Sequence, residues 1–172
     1  MVTILGEVVY LFVSPGHNFF GHHGKPPDQH PLHSLSSVEC VAQSGIVGDR
    51  FFNYKPDYKG QITLFEAEVF EELCDRLGVR DRGPGVLRRN VVTRGVRLNE
   101  LIGREFTLDG VRVFGRDECR PCYWMDQAFA PGAEALLKGR GGLRAAVVTT
   151  GRISLGGKIS LTGNPADVAG TT

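Results

Sequence analysis

What this chain lacks narrows its reading first. Four cysteines in 172 residues are too few for a disulfide scaffold. No apolar run approaches the roughly 20 residues that span a bilayer. The stretch from Val8 to Val13 falls far short, and it has neither a basic flank nor a small-residue cleavage pattern, so it does not read as a secretory signal. A net charge of +1 gives no whole-molecule field for gripping nucleic acid or an anionic membrane. No Gly-x-Gly-x-x-Gly follows a strand, and no Gly-Lys-Ser/Thr closes a phosphate loop, so dinucleotide and Walker-type sites are excluded. No internal repeat or change of composition marks a second domain. The expectation is a cytoplasmic protein with reduced cysteines and no nucleic-acid or membrane partner. Its oligomeric state leaves no mark in the sequence.

What is present suits one globular domain. A hydrophobic content of 41% and this length support a sizeable core. Val2 to Val13 reads as a strand ended by Ser14-Pro15-Gly16, and Leu35 to Ala42 as a second. Gln61 to Phe65 is a short strand running into a helix. Phe65, Val69, Phe70, Leu73 and Leu77 keep helical spacing there, and Gly78 is its natural stop. Val86 to Thr93 reads as a strand, and Leu98 to Ile102 as one helical turn. Phe106–Leu108 and Val111–Phe114 flank Asp109-Gly110, a strong two-residue hairpin signal. Ala133 to Leu137 is a short helix and Leu143 to Thr149 a strand. Ile153 to Leu161 forms a last hairpin-like pair around Gly156-Gly157. Many short strands, 23 glycines and one main helix predict a mainly β fold, a barrel or sandwich with short helical turns. The domain runs over residues 1–162, and residues 163–172 form a small, polar tail.

The chemistry concentrates at Cys119-Arg120-Pro121-Cys122, just past a strand-like run. Thiols react and ligate as thiolates, a form that nearby cations favour, and Arg116 and Arg120 are close in sequence. Four readings stay open. Cys119 and Cys122 could form half of a zinc knuckle, although Cys40 and Cys74 are isolated and supply no second pair. They could be a thioredoxin-like dithiol, which normally opens a helix in a βαβ unit. Cys122 alone could coordinate a soft metal or carry sulfur. Both could be buried and inert.

Two further features are distinctive. All five histidines (His17, His22, His23, His30 and His33) fall in a Gly/Pro-rich loop spanning residues 14–33, with Phe19 and Phe20 among them. That loop is either solvated or packed as a lid. Arg88-Arg89-Asn90 and Gly139-Arg140-Gly141-Gly142-Leu143-Arg144 each pair glycine-rich turns with arginines, a combination suited to oxyanions. Surface arginines on plain turns are the alternative.

Taken in order, these pieces resemble the MOSC domain, found at the C-terminus of molybdenum cofactor sulfurases and as stand-alone proteins. The matching stretches are Gly45 to Arg50, Gln61 to Glu68, and Arg88 to Val92 with Gly95, Leu98 and Asn99. Leu101-Ile102-Gly103, Cys119 to Cys122 and Arg144 to Gly151 follow. The resemblance covers roughly residues 35 to 162. It implies a β-rich, barrel-like fold and a site for the molybdenum cofactor (molybdopterin). Cys122 would be the ligand or sulfur carrier, with Cys119 beside it; Arg88, Asn90, Arg144 and, less directly, Asp57 would contact the cofactor. Implied partners are a cofactor or sulfur donor protein and, for a molybdenum-dependent reductase of N-hydroxylated compounds, an electron-transfer partner. A non-enzymatic delivery module and a zinc-bearing β-domain are the alternatives. Phe51-Phe52 stands where many stand-alone members have histidine after Gly-Asp-Arg, and the His-rich stretch lies outside the general pattern.

Overall fold

Short runs of β-branched and aromatic residues, several followed closely by glycine, proline or aspartate, make strands the dominant element. The structure is a computed structural model that describes residues 1–162; the expected tail, residues 163–172, lies outside the described residues. In chain order the elements are β1 (Val2–Val13), β2 (His33–Ser34), β3 (Ser37–Val41), β4 (Gly45–Ile46), β5 (Ile62–Glu66), α1 (Ala67–Leu77) and β6 (Val91–Arg94). Then follow β7 (Glu105–Leu108), β8 (Val111–Glu118), α2 (Trp124–Ala128), α3 (Ala133–Leu137), β9 (Leu143–Val147), β10 (Gly151–Ser154) and β11 (Lys158–Thr162). Short 3-10 turns cover Pro84–Leu87 and Leu98–Leu101.

Seven strands close into a barrel in the order β1-β6-β5-β9-β8-β7-β11, with β11 pairing back onto β1. Closure removes the open edges that a sheet of this size would otherwise expose. All neighbours are antiparallel except β5 and β6, which run parallel and are joined through α1. β3, β4 and β10 form a small second sheet. The interior is apolar, filled by Leu11, Leu64, Val91, Phe106, Leu108, Val113, Leu143 and Ile159 among others. A second cluster lies between α1 and the two short helices, where Phe65, Phe70 and Leu73 meet Met125, Phe129 and Leu137. β5 therefore buries both faces, which is why it reads as an unbroken apolar run. Among the described residues, no helix is long and apolar enough to cross a membrane.

Several expectations hold. α1 ends at Gly78, whose left-handed backbone (φ 65°) lets its N–H reach the Cys74 carbonyl. Asp109 and Gly110, both at positive φ, turn β7 into β8. Three expectations change. Residues 86–93 are not one strand: Pro84 starts a 3-10 turn, Arg88 ends it at φ 60°, and β6 begins only at Val91. The second strand begins at Ser37 rather than Leu35, because His33–Ser34 pairs separately with Phe12–Val13. The last two strands form no hairpin. β10 pairs with β3, whereas β11 joins β1 and β7, so Gly156-Gly157 carries the chain from the small sheet into the barrel.

Candidate functional site

The loops that follow β1, β4 and β8, and those that lead into β5, β6 and β9, meet around one cleft of about 400 Å3. A smaller chamber of about 110 Å3 adjoins it, and both share Phe19, Phe20, Arg50, Phe51, Arg88, Arg89, Cys122 and Trp124. Cys122 is exposed and Cys119 half-buried; neither is in a disulfide. Two close backbone approaches fix the start of β9, one against this thiol loop and one against β5. A side chain at Gly141 would put its Cβ 2.2 Å from the Cys119 carbonyl, and one at Gly142 would meet the Leu64 carbonyl at the same distance. The Cys119 N–H donates to the Gly142 carbonyl at 2.8 Å, and the Met125 N–H to that of Cys122 at 2.9 Å.

Four arginines face the cleft: Arg50, Arg88, Arg89 and Arg144. Among the described residues, only two have a bonded carboxylate. Arg50 Nη1 lies 3.2 Å from Asp49 Oδ1, and Arg144 Nε lies 2.9 Å from Asp117 Oδ1. The Asp49 side chain is fully buried and also accepts from the Ser14 and Phe51 N–H groups. Arg88 donates only to neutral oxygens, Ser14 Oγ at 2.7 Å and the Gly16 carbonyl at 2.8 Å. Buried Arg89 clamps the carbonyls of Leu87, Cys119 and Gly141. Four guanidiniums less two carboxylates leave two cations without an anion among the described residues, held where charge is costly. The strain is visible at Arg88, whose guanidinium is pulled down to about 10, first by burial and then by the facing Arg50. Burial also lowers Arg50 from its ordinary range, partly offset by Asp49. A bound anion would relieve both effects.

Aromatic walls complete the cleft. Phe51 stacks on Tyr58 with centroids 5.2 Å apart, and Phe19 packs on Trp124 at 5.0 Å. The histidine loop covers this region. His17 sits against Phe20 and Phe51, and Tyr123 Oη bonds to His23 Nδ1 at 3.0 Å. Asn18 ties the loop to itself by bracketing the His30 backbone at both its N–H and carbonyl. Burial, reinforced by Arg50, lowers His17 from its ordinary value, so its imidazole is neutral at pH 7.

The predicted residues fall into three groups. Cys122, Cys119, Arg88 and Arg144 all line the cleft. Asn90 lies behind it, buried, where its side chain accepts from the Thr63 N–H and donates to the Phe12 carbonyl. Asp57 is outside the lining; its exposed carboxylate pairs with Arg116 Nη2 at 2.9 Å. A zinc site needs about four ligands. Among the described residues, no group of three or more His, Cys, Asp or Glu side chains is placed to share a metal ion.

A sequence profile of the MOSC domain matches residues 21–160. The chain belongs to the MOSC domain family. Its fold agrees with solved structures. The YuaD protein from Bacillus subtilis superposes with a TM-score of 0.68 at 19% identity, over 93% of this chain and 95% of that one. YiiM from Geobacillus stearothermophilus gives 0.68 at 16% identity, over 92% and 75%. YiiM from Escherichia coli gives 0.61 at 15%, over 90% and 70%. At these identities the likeness is one of fold. No functionally curated protein matches the sequence.

Of the cleft residues of this MOSC domain, Arg50 carried no site reading in the sequence, and Arg89 stood out only as part of the Arg88-Arg89-Asn90 cluster. Each sits beside another charged residue, and nothing local distinguishes a buried guanidinium from a solvated one. Gly48-Asp49-Arg50 was legible only as part of a family-like stretch. A polar triplet between two glycine-containing turns and Phe51-Phe52 was the available signal, since aromatic neighbours bury what they flank.

Proposed function

We propose that this MOSC domain binds the molybdenum cofactor, or accepts a sulfur atom, through Cys122. One observation carries the reading: an exposed thiol opens onto a cleft that holds two guanidiniums more than it holds bonded carboxylates. A soft sulfur suits a soft metal or a sulfane sulfur, and forked guanidiniums suit a phosphate. Those donors fit a phosphate-bearing pterin with a sulfur-bound metal. Cys122 would be the protein sulfur ligand, Arg88 and Arg89 would take the anionic tail, and Arg144 would reach the polar ring edge. Asn90 would act indirectly, by fixing the backbone between Phe12 and Thr63 from which the arginines project. Phe19, Phe51, Tyr58 and Trp124 would stack on flat rings and exclude water. When bound, the cofactor would supply two-electron redox chemistry, with an external protein as electron donor and an N-hydroxylated compound as substrate. In a delivery role the same site would hand cofactor or sulfur to another protein.

The test is expression in a molybdenum-competent host, followed by metal analysis and fluorescence of the oxidised pterin. Molybdenum and pterin should co-purify with the wild-type protein. Cys122→Ala should lose the metal, and Arg88→Ala should lower pterin occupancy roughly tenfold while the protein still folds. A metal-free wild-type protein that also takes up no sulfur at Cys122, or full occupancy in both variants, would remove this reading. Turnover with an electron donor then separates catalysis from delivery.

A further inference from the structure

The cofactor reading uses one sulfur of the Cys119–Cys122 pair and leaves the other without a task. The buried thiols elsewhere are unsuited to sulfur chemistry. Cys40 is fully buried and pushed up to about 12 by burial, and Cys74 is buried on α1 and also raised. Cys119 is different in kind. It lines the same cleft as Cys122, two residues separate them, and neither is bonded to another sulfur. It also lies within electrostatic reach of Arg50 and Tyr58.

The segment between the thiols is pinned. The Cys119 N–H bonds to the Gly142 carbonyl, and its own carbonyl accepts from Arg89 Nη2 at 3.2 Å. Pro121 presses on Gly141, where an added Cβ would come within 2.8 Å of Pro121 Cδ. Past Cys122, the chain is fixed by the Met125 N–H. Exposure is graded as well, with Cys122 in the open and Cys119 half-buried. An outer thiol that loads and an inner thiol that resolves is the arrangement exchange chemistry requires.

We propose that Cys119 is the resolving nucleophile for a persulfide carried on Cys122, so that the site releases sulfur as hydrosulfide inside the covered cleft. This rests on the reading of Cys122 as a sulfur-accepting residue. The Cys119 thiolate attacks Cys122 Sγ. A Cys119–Cys122 disulfide forms, and the bond from Cys122 Sγ to the terminal sulfur breaks. The terminal sulfur leaves with the electron pair as hydrosulfide and is reduced; the two cysteine sulfurs end as a disulfide. The proton lost by Cys119 goes to solvent. A low-molecular-weight or protein dithiol then reduces the disulfide and resets the pair. The unmatched cations lower the cost of the departing anion in that position.

The test loads fully reduced protein with glutathione persulfide and follows sulfide release and intact mass. Wild-type protein should release about one sulfide per disulfide formed, and its final mass should be lower than the reduced chain by two hydrogens. Cys119→Ser, a near-isosteric change, should instead keep the mass of one added sulfur, and its sulfide release before external thiol is added should fall at least about tenfold. Titration of wild-type protein against dithiothreitol redox buffers gives a second measurement that needs no variant: one disulfide should form, and alkylation should show both residues protected. Wild-type protein that keeps the added sulfur with Cys119 still alkylatable, or Cys119→Ser protein that releases sulfide at the wild-type rate, overturns this step alone. Failure of Cys122 to take up sulfur in both proteins overturns the sulfur-accepting reading and this step with it.

Discussion

The barrel interior and the mouth it supports are built on opposite principles. Inside, the side chains meeting between the strands are hydrocarbon, and Phe106, Leu64 and Ile159 are essentially sealed from water. At the mouth, buried polar groups gather instead: Asp49, Thr63, Arg89 and Asn90. Their hydrogen bonds are largely made, but with Arg50 and Arg88 beside them positive charge exceeds negative. Interior packing rewards burial without any partner, whereas buried unmatched cations at the mouth carry a cost that a bound anion would reduce. The barrel thus stabilises a site that on its own would not stay assembled.

That contrast breaks first in the interior. Phe106→Ala removes a fully buried ring from the barrel core and should lower unfolding free energy by about 3–5 kcal/mol. Urea denaturation measures it, and added phosphate should not restore the loss, because the cavity lies away from the arginines. A loss below about 1 kcal/mol would mean the interior collapses around the missing ring, which a closed barrel resists.

The mouth breaks through its anion. Asp49→Asn keeps an acceptor for the Ser14 N–H but leaves Arg50 beside Arg88 without a buried carboxylate. The expected loss is about 3 kcal/mol, part of it recovered by millimolar phosphate. The phosphate response is the discriminating result, since Phe106→Ala should show none. Equal phosphate response in both variants would place the anion effect outside the arginine cluster.

The two regions also differed in how legible they were. Strand runs, the Asp109-Gly110 turn and the helical spacing from Phe65 to Leu77 are local signals, and the structure carries them through. Closure was not local. β11 pairs with β1 across nearly the whole chain, and no residue in either strand encodes that register alone. The same reason explains the false hairpin around Gly156-Gly157: local turn chemistry was right, but long-range pairing with β3 took β10 elsewhere. At the mouth, residue types suited to anions and soft metals marked Arg88, Arg144 and Cys122. Arg88 was nevertheless placed in a strand, because a left-handed arginine leaves no trace in composition. Whether the histidine loop was solvated or a lid could not be decided from its polar content. The contacts of His17, Phe20 and His23 decide that it packs over the cleft.

The smallest expected effect sharpens the comparison from within that loop. His17 lies between Phe20 and Phe51, and its buried Nδ1 has no hydrogen-bond partner among the described residues. Burial, then Arg50, and more weakly Arg88 and His30, hold it below its unfolded value of 6.5, with Asp49 opposing them. Above pH 6.5 the imidazole is neutral in both states, and its contribution is fully present. As pH falls below 6.5, the unfolded chain takes up the proton first, so stability declines until the folded value is reached. Wild-type protein should therefore lose more stability between neutral and mildly acidic pH than His17→Phe, which keeps the aromatic packing and has nothing to protonate. Paired urea titrations across that range measure the difference. Parallel curves for the two proteins would mean that His17 is not held neutral by the arginine-rich mouth. A phosphate-dependent narrowing of the gap would show that an anion beside Arg50 and Arg88 offsets their effect on the imidazole, coupling the loop electrostatically to whatever the cleft binds.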